Sequence, residues 1–427
     1  MTDLVRLSGP RHARVPVHSV LRRIYLPRAA DATASSMATY AVPLLVLATT
    51  DSASLTGVAF ALEWIPRLCA FGLAGAAVDR LGATRVFRVA ATARTAVTVT
   101  AAFALASMDG GASRVTVMLL AALSGILAEF SYVAAETVGA VASREAGDGA
   151  HRAQSVLLGI DQSSALAGPA LGGVLLQWAG PGGMLTTIGC LSFLSAVLAP
   201  RIRRPQPSTA MPVTEGLRAG WSTLRSIPTL AWLVAGLTLS NLTSGTLQAA
   251  APVIMVKELG HSSASVGLLW SAAAAASLIA VAVCRYAIGK WGLWSVGCVS
   301  ATAAAVACLA VTRAHSYPSY LLLISALMAG EAGMSIVLRT LRSRLIPPAA
   351  FGSTLSLTIL ILLLPFPLAG ALVAVTPLHA LGHVITVCAM LQTAGLAIAF
   401  SRIRTDPVLR APNLPSRPND PPNPIDT

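Results

Sequence analysis

Along this 427-residue chain, hydrophobic positions neither alternate nor mark one helical face; they run together in blocks of about twenty. Twelve blocks can be marked, at 29–50, 55–77, 86–107, 115–137, 153–176, 184–200, 229–252, 263–284, 294–312, 319–338, 353–375 and 379–400. A run of that length crosses the bilayer core as a helix, because lipid offers no partner to a backbone N–H or C=O. The predicted fold class is all-α integral membrane, with 12 transmembrane helices. The block at 184–200 is the shortest, and Pro181-Gly182-Gly183 before it is expected in the interface. The longest internal polar stretch, 201–228, divides the blocks six and six, giving bundles over 29–200 and 229–400. It opens Pro-rich (RRPQPST) and continues as EGLRAGWSTLR, an amphipathic piece expected to lie along the membrane surface. Residues 1–28 form a polar, Arg-rich segment, and 401–427 a Pro-rich tail expected to be disordered.

The basic residues fix the orientation. With the N-terminus inside, the inner loops carry Arg80, Arg85, Arg88, Arg144, Arg152, Arg201, Arg203, Arg204, Arg218, Arg225, Arg285, Lys290, Arg339, Arg342 and Arg344. The outer loops hold Arg114, Lys257 and Arg313. Both termini are therefore expected in the cytoplasm. The preference for Arg over Lys and the Ala-rich runs suggest a bacterial inner (plasma) membrane.

Composition agrees: 55% of residues are hydrophobic and 11% charged, with mean hydropathy +0.71. A net charge of +13 would suggest nucleic acid in a soluble chain. Placed on one membrane face, it does not, and no nucleic-acid partner is expected. No short apolar region ending in a small-residue cleavage site follows the N-terminal arginines, so no secretory signal is read. The six cysteines fall in apolar runs without C-x-x-C spacing and read as small buried hydrophobes. His379 and His383 are spaced i, i+4 but lack a third ligand nearby, and are read as an interfacial pair. No phosphate-loop, H-E-x-x-H or G-x-S-x-G motif occurs, so the chain is read as neither an ATPase nor a hydrolase. No metal or other cofactor is expected.

Charges inside the blocks carry the candidate chemistry, since one at a helix centre costs about 2.5–3.5 kcal/mol. The acids are Asp31, Glu63, Glu129, Asp161 and Glu331, and the bases Arg67 and Arg94. Helical spacing groups Asp31 with Ser35 and Thr39, Glu129 with Tyr132 and Glu136, Thr238 with Asn241, Gly245 and Gln248, and Glu331 with Ser335 and Arg339. Glu63 and Arg67, at i, i+4, read as a self-neutralising pair. Arg94 and Glu129, at similar depth, are expected to pair. Asp161 reads as structural. Asp31 and Glu331 have no local partner and are assigned to a cavity. Burial disfavours the charged form of a carboxyl group, the behaviour a proton carrier requires.

Two motifs connect these segments to a known family. Between the second and third blocks stands G-x-x-x-D-R-x-G-x-x-R, carried by Gly75, Asp79, Arg80, Gly82 and Arg85. It resembles the signature loop of major facilitator superfamily transporters, except that the position after the second glycine, usually basic there, is Ala83. In the fifth block, Gly168-Pro169-Ala170-Leu171-Gly172-Gly173 resembles the motif of that superfamily's antiporters. A degenerate echo of the first motif, Arg285 to Gly292, keeps glycines and positive charge in the second half but lacks the aspartate. LRSRLIPP and FGSTLS before the eleventh block add to the likeness, which is with the exporter branch of siderophore and macrolide-type efflux proteins.

The resemblance implies two pseudo-symmetric six-helix bundles rocking around a midplane site. It places the first, fourth, seventh and tenth segments around a central cavity, where Asp31, Ser35, Glu129, Tyr132, Asn241, Gln248 and Glu331 are expected to line the substrate and proton site, with Asp31, Glu129 and Glu331 carrying the proton and a cationic or zwitterionic amphiphile. It also implies a cytoplasmic latch of Gly75, Asp79, Arg80, Gly82, Arg85 and Glu136, and a pivot at Gly168, Pro169, Gly172 and Gly173. The expected activity is export of a drug, natural product or siderophore in exchange for protons. The expected partners are the small-molecule substrate, protons and the lipid bilayer, with the chain a monomer. Proton-coupled import of a nutrient, and a non-transporting sensor or scaffold on the same fold, are the alternatives.

Overall fold

In the computed structural model, which describes residues 24–108, 110–145, 150–199, 213–347 and 350–404, every extended element is a helix. The N-terminal arginines up to Arg23, the Pro-rich stretch 201–212 and the tail 405–427 lie outside the described residues. The first half contains α1 (Leu26–Thr50), α2 (Ala53–Leu81), α3 (Ala83–Ser107), α4 (Gly111–Glu145), α5 (Ala150–Trp178) and α6 (Gly180–Leu198). The linker helix α7 (Val213–Ser226) leads to α8 (Pro228–Val253), which is prolonged by a π-turn over Ile254–Glu258. Next comes a helical stretch over Ser263–Val311, divided at Gly292, where φ is 80° and no helix can continue. Its parts are α9 (263–291) and α10 (293–311). Then follow α11 (Tyr317–Leu345), α12 (Phe351–Leu363), α13 (Pro365–Val375) and α14 (Leu381–Arg402).

Ten helical segments among the described residues are long and apolar enough to span a bilayer. One of them contains both α9 and α10, and α5, 29 residues long, supplies the remaining span. The fold is thus the expected twelve-span, two-bundle arrangement, with α12 and α13 forming one broken span. The helices run past the apolar blocks at most ends, since the hydrogen-bond ladder continues into the interface after hydrophobicity stops. Pro181 falls in the first turn of α6, where a missing N–H costs nothing, so the Pro-Gly-Gly stretch is helical.

The reversals follow from local chemistry. A single residue, Gly82 at φ 88°, separates α2 from α3. Ser52 caps α2 by accepting from Leu55 N at 3.2 Å, and Ser262 caps α9 by accepting from Ser265 N at 3.3 Å. Pro365 cannot donate to the preceding turn, which breaks the span between α12 and α13. The amphipathic α7 buries Leu224, leaves Trp221 half exposed, and packs on α12.

The two halves meet chiefly at one end, the face bearing Asp51. There α2 packs on α13 and α5 packs on α9. Both crossings are backbone-close and made by glycine: a Cβ on Gly370 would lie 2.6 Å from Ala61 N, and one on Gly267 3.1 Å from the Pro169 carbonyl carbon. Ser54 donates to Ala374 O at 2.6 Å, and Lys257 pairs with Asp51 at 2.8 Å. Tyr40 meets Trp270 at 5.4 Å, and Trp64 stacks on Phe366 at 4.2 Å. Towards the opposite face, the one bearing Gly82, α12 packs instead on α7 and α8 of its own half. Among the described residues, the halves are closed together at the Asp51 face and parted at the Gly82 face.

This geometry makes Gly370 a closure residue. Overpacking a tight contact costs about 1–3 kcal/mol, so Gly370→Ala should open the Asp51 face in a sizeable fraction of molecules. With cysteines at Ser54 and Ala374, disulfide formation should slow about tenfold in the Gly370→Ala background. An unchanged rate would show that the glycine contact does not hold this face shut.

Candidate translocation site

In the first half, charged side chains are arranged in three groups, two of them buried and the third partly exposed. Arg94, on α3 and 1% exposed, lies 3.2 Å from Asp31 of α1 and donates to Ser35 at 2.7 Å. Ser131 of α4 donates to the same Asp31 oxygen at 2.6 Å. Arg67 of α2 donates to Glu129 of α4 at 3.0 Å and lies over the Trp64 ring. Arg28, at the start of α1, makes a two-point contact with Asp161 at 2.7 and 2.6 Å and a further one with Glu136 at 2.6 Å. Tyr132 stands 5.9 Å from that guanidinium.

These contacts correct four sequence expectations. Asp31 has a partner, Arg94, and Arg94 does not pair with Glu129. Arg67 turns from Glu63 to Glu129. Glu136 closes on Arg28 and not on the Arg80 or Arg85 region. The physical reason is common to all four: depth along the membrane can be read from sequence, but rotation about each helix axis cannot. Asp31 and Glu129, each 3% exposed, are therefore neutralised inside the first bundle, while Tyr132 is half exposed.

In the second half the pattern is different. Glu331 of α11 accepts from Ser240 of α8 at 2.9 Å, and Ser244, one turn further, donates to the same oxygen. Among the described residues no ion pair involves Glu331. It is only partly buried. Two hydroxyls supply hydrogen bonds but no positive charge. Asn241 donates to Leu362 O at 2.7 Å, bracing the last turn before the α12–α13 break, and Gln248 is partly buried on the same helix. Ser240 and Ser244 escaped the sequence reading, although their i, i+4 spacing on an apolar helix was a usable signal. Arg28 escaped because it lies at the edge of the first block.

The motif residues divide by role. Gly168 and Gly172 face Ser36, Met37 and Ala41 of α1 within their own half, whereas Gly173 meets α9 across the halves. Pro169 lies inside α5, and the next N–H, of Ala170, bonds across to Ser271 at 3.0 Å. Asp79, Arg80 and Arg85 are exposed at the parted Gly82 face, and no ion pair among the described residues includes them. Nothing lies within 4 Å of a Cβ placed on Gly75. His379 and His383 fall in a short 3₁₀ turn and in α14, and the described residues hold no group of three or more potential metal-ligating His, Cys, Asp or Glu side chains.

Comparison with known proteins agrees with this architecture. The family model described as Major Facilitator Superfamily matches residues 28–370. An uncharacterized MFS-type transporter, y4rN, of Sinorhizobium fredii (strain NBRC 101917 / NGR234) is 27% identical over 372 residues, 85% of this chain and 88% of that protein. A bacterial homologue of the iron transporter ferroportin, solved in an inward-facing state, superimposes with TM-score 0.72 at 18% identity, covering 91% of this chain and 100% of that one. A D-xylose–proton symporter gives TM-score 0.70 at 15% identity, covering 90% of this chain and 97% of that one. At these identities the likeness is one of fold.

The Asp31–Arg94 pair yields a stability prediction. Removing one partner of a buried pair costs about 3–5 kcal/mol, whereas replacing both with uncharged groups costs far less. Arg94→Met should destabilise the detergent-solubilised protein by that amount, and Asp31→Asn combined with Arg94→Met should recover most of the loss. Thermal unfolding measures this; a double variant no more stable than the single one would mean that the pair is not the source.

Proposed function

As this chain belongs to the major facilitator superfamily, a family of membrane transporters and not of enzymes, we propose that it exports a small organic molecule in exchange for protons. The parted Gly82 face, rich in arginine, is cytoplasmic in this reading, with both termini on that side of a bacterial inner membrane. The conformation is then the inward-open, substrate-loading one.

The observation that carries the reading is Glu331. A carboxylate held by two hydroxyls, without a cation of its own, in a half-buried position between α8 and α11, is a receptor for a positively charged group. The substrate class is accordingly a cationic or zwitterionic amphiphile. Tyr40 lies within electrostatic reach of Glu331, and the aromatic rings at the contact between the halves, Trp270, Trp64 and Phe366, suit the rest of such a molecule. Asp31 and Glu129, already neutralised by arginines, serve as structural charges in this scheme, while Ser35, Tyr132, Asn241 and Gln248 shape the path. The Gly168–Gly173 stretch supports the outward direction, through its resemblance to antiporter motifs. A single polypeptide, acting as a monomer with no cofactor beyond the proton gradient, suffices for this cycle.

Tetraphenylphosphonium is a suitable probe. In proteoliposomes with an imposed pH gradient, the wild-type chain should move it from its Gly82 side to its Asp51 side. An ion–ion attraction at a separation of about 6 Å and an effective dielectric of about 20 is worth about 3 kcal/mol, so Glu331→Gln should weaken probe binding about tenfold or more. Movement in the opposite direction would favour import, and unchanged binding in Glu331→Gln would remove that carboxylate from the site.

A further inference from the structure

One acid remains outside these arrangements. Glu63 of α2 is 2% exposed, and its Oε2 has no hydrogen-bond partner. The basic group one turn away, Arg67, is within electrostatic reach but makes its ion pair with Glu129 across the α2–α4 contact. That contact is tightest at Glu63 itself, where Gly125 of α4 lies against the Glu63 backbone. Among the described residues no ion pair includes Glu63.

The other groups facing it are few. From α1 come the Thr39 hydroxyl and, within electrostatic reach, the Tyr40 phenol. From α4 comes Glu129, already satisfied by Arg67. The base on α3, Arg94, is committed to Asp31 and Ser35. Neither α13 nor α8, both of which touch α2, carries an ionisable residue. A carboxylate left charged in such a place is far costlier than a neutral carboxylic acid.

Position adds a second argument. On α2, Glu63 adjoins Trp64, whose ring stacks on Phe366 of α13, and it lies between the Gly57 crossing and Arg67. The neutral acid is compatible with the closed Asp51 face. A charged Glu63 requires either the Arg67 guanidinium, which would have to leave Glu129, or water, which the closed packing of α2 on α13 keeps out.

We propose that Glu63 is the site at which this carrier loads and releases its proton, and that its charge state sets whether the Asp51 face stays closed. Binding and coupling are then separate: Glu331 receives the substrate cation, and Glu63 holds the proton between the two bundles. The inference rests on the carrier reading for its meaning, but its test requires no transport.

Spin labels at Met108 and Val375, both exposed near the Asp51 face, report the separation of the halves. They are placed in the full chain with the exposed Cys69 and Cys190 replaced by serine. With Glu63 present, the closed population should fall about threefold or more between about pH 5 and about pH 9. Glu63→Gln should remain closed at every pH, and Glu63→Asp should retain a pH response. The acid-minus-alkaline infrared difference spectrum should show a protonated-carboxyl C=O band that Glu63→Gln lacks. A pH response or a carboxyl band that survives undiminished in Glu63→Gln would overturn the proposal, as would a wild-type chain that does not respond. Glu331→Gln, measured alongside, separates the two ideas: loss of tetraphenylphosphonium binding there tests the substrate site alone.

Discussion

In a low-dielectric interior a charge must find an opposite charge or lose its own, and this constraint explains most of the polar architecture. The first bundle meets it with arginine. Arg94 neutralises Asp31, Arg67 neutralises Glu129, and Arg28 joins Asp161 and Glu136. What the arginines leave over is informative. Among the described residues, neither Glu63 nor Glu331 belongs to an ion pair, one being sealed at the α2–α4 contact and the other facing serines on α8. The proposed exchange of cations for protons rests on these two carboxyl groups.

Among the described residues, the contact between the bundles is confined and specific. At the Asp51 face, glycines bring α2 onto α13 and α5 onto α9 at backbone distance, and stacked aromatic rings close the space beneath. Lipid provides no hydrophobic drive for this association, so close packing and hydrogen bonds such as Ser54 to Ala374 must hold it. A contact of that kind is discrete: a backbone fit of glycine against glycine is either made or absent. At the Gly82 face Asp79, Arg80 and Arg85 are exposed, and no ion pair among the described residues includes them.

The spans were legible from sequence because lipid imposes a one-dimensional rule, about twenty apolar residues per crossing. The two motifs located the reversal at Gly82 and the α5 crossing. Lateral pairing was not legible. Glu63 and Arg67 satisfy the i, i+4 rule, yet Arg67 turns across the helix boundary, because Glu129 approaches on the face that Gly125 opens. The same blindness assigned Arg94 to Glu129 and left Asp31 alone. Ser240 and Ser244, not the Thr238 and Asn241 singled out by spacing, meet Glu331, while Asn241 braces the α12–α13 break. In each case the missing quantity was rotation about an axis, which packing decides and hydropathy does not record.

The central claim is that two bundles exchange one closed face for the other around carboxyl groups lacking cations. Paired spin-label distances, measured at both faces of the same protein, test it most directly: Met108 with Val375 at the Asp51 face, and Leu81 with Glu215 at the Gly82 face. On moving from acidic buffer with tetraphenylphosphonium to alkaline buffer without it, the first distance should lengthen while the second shortens. Distances that move together, or that do not move at all, would contradict it.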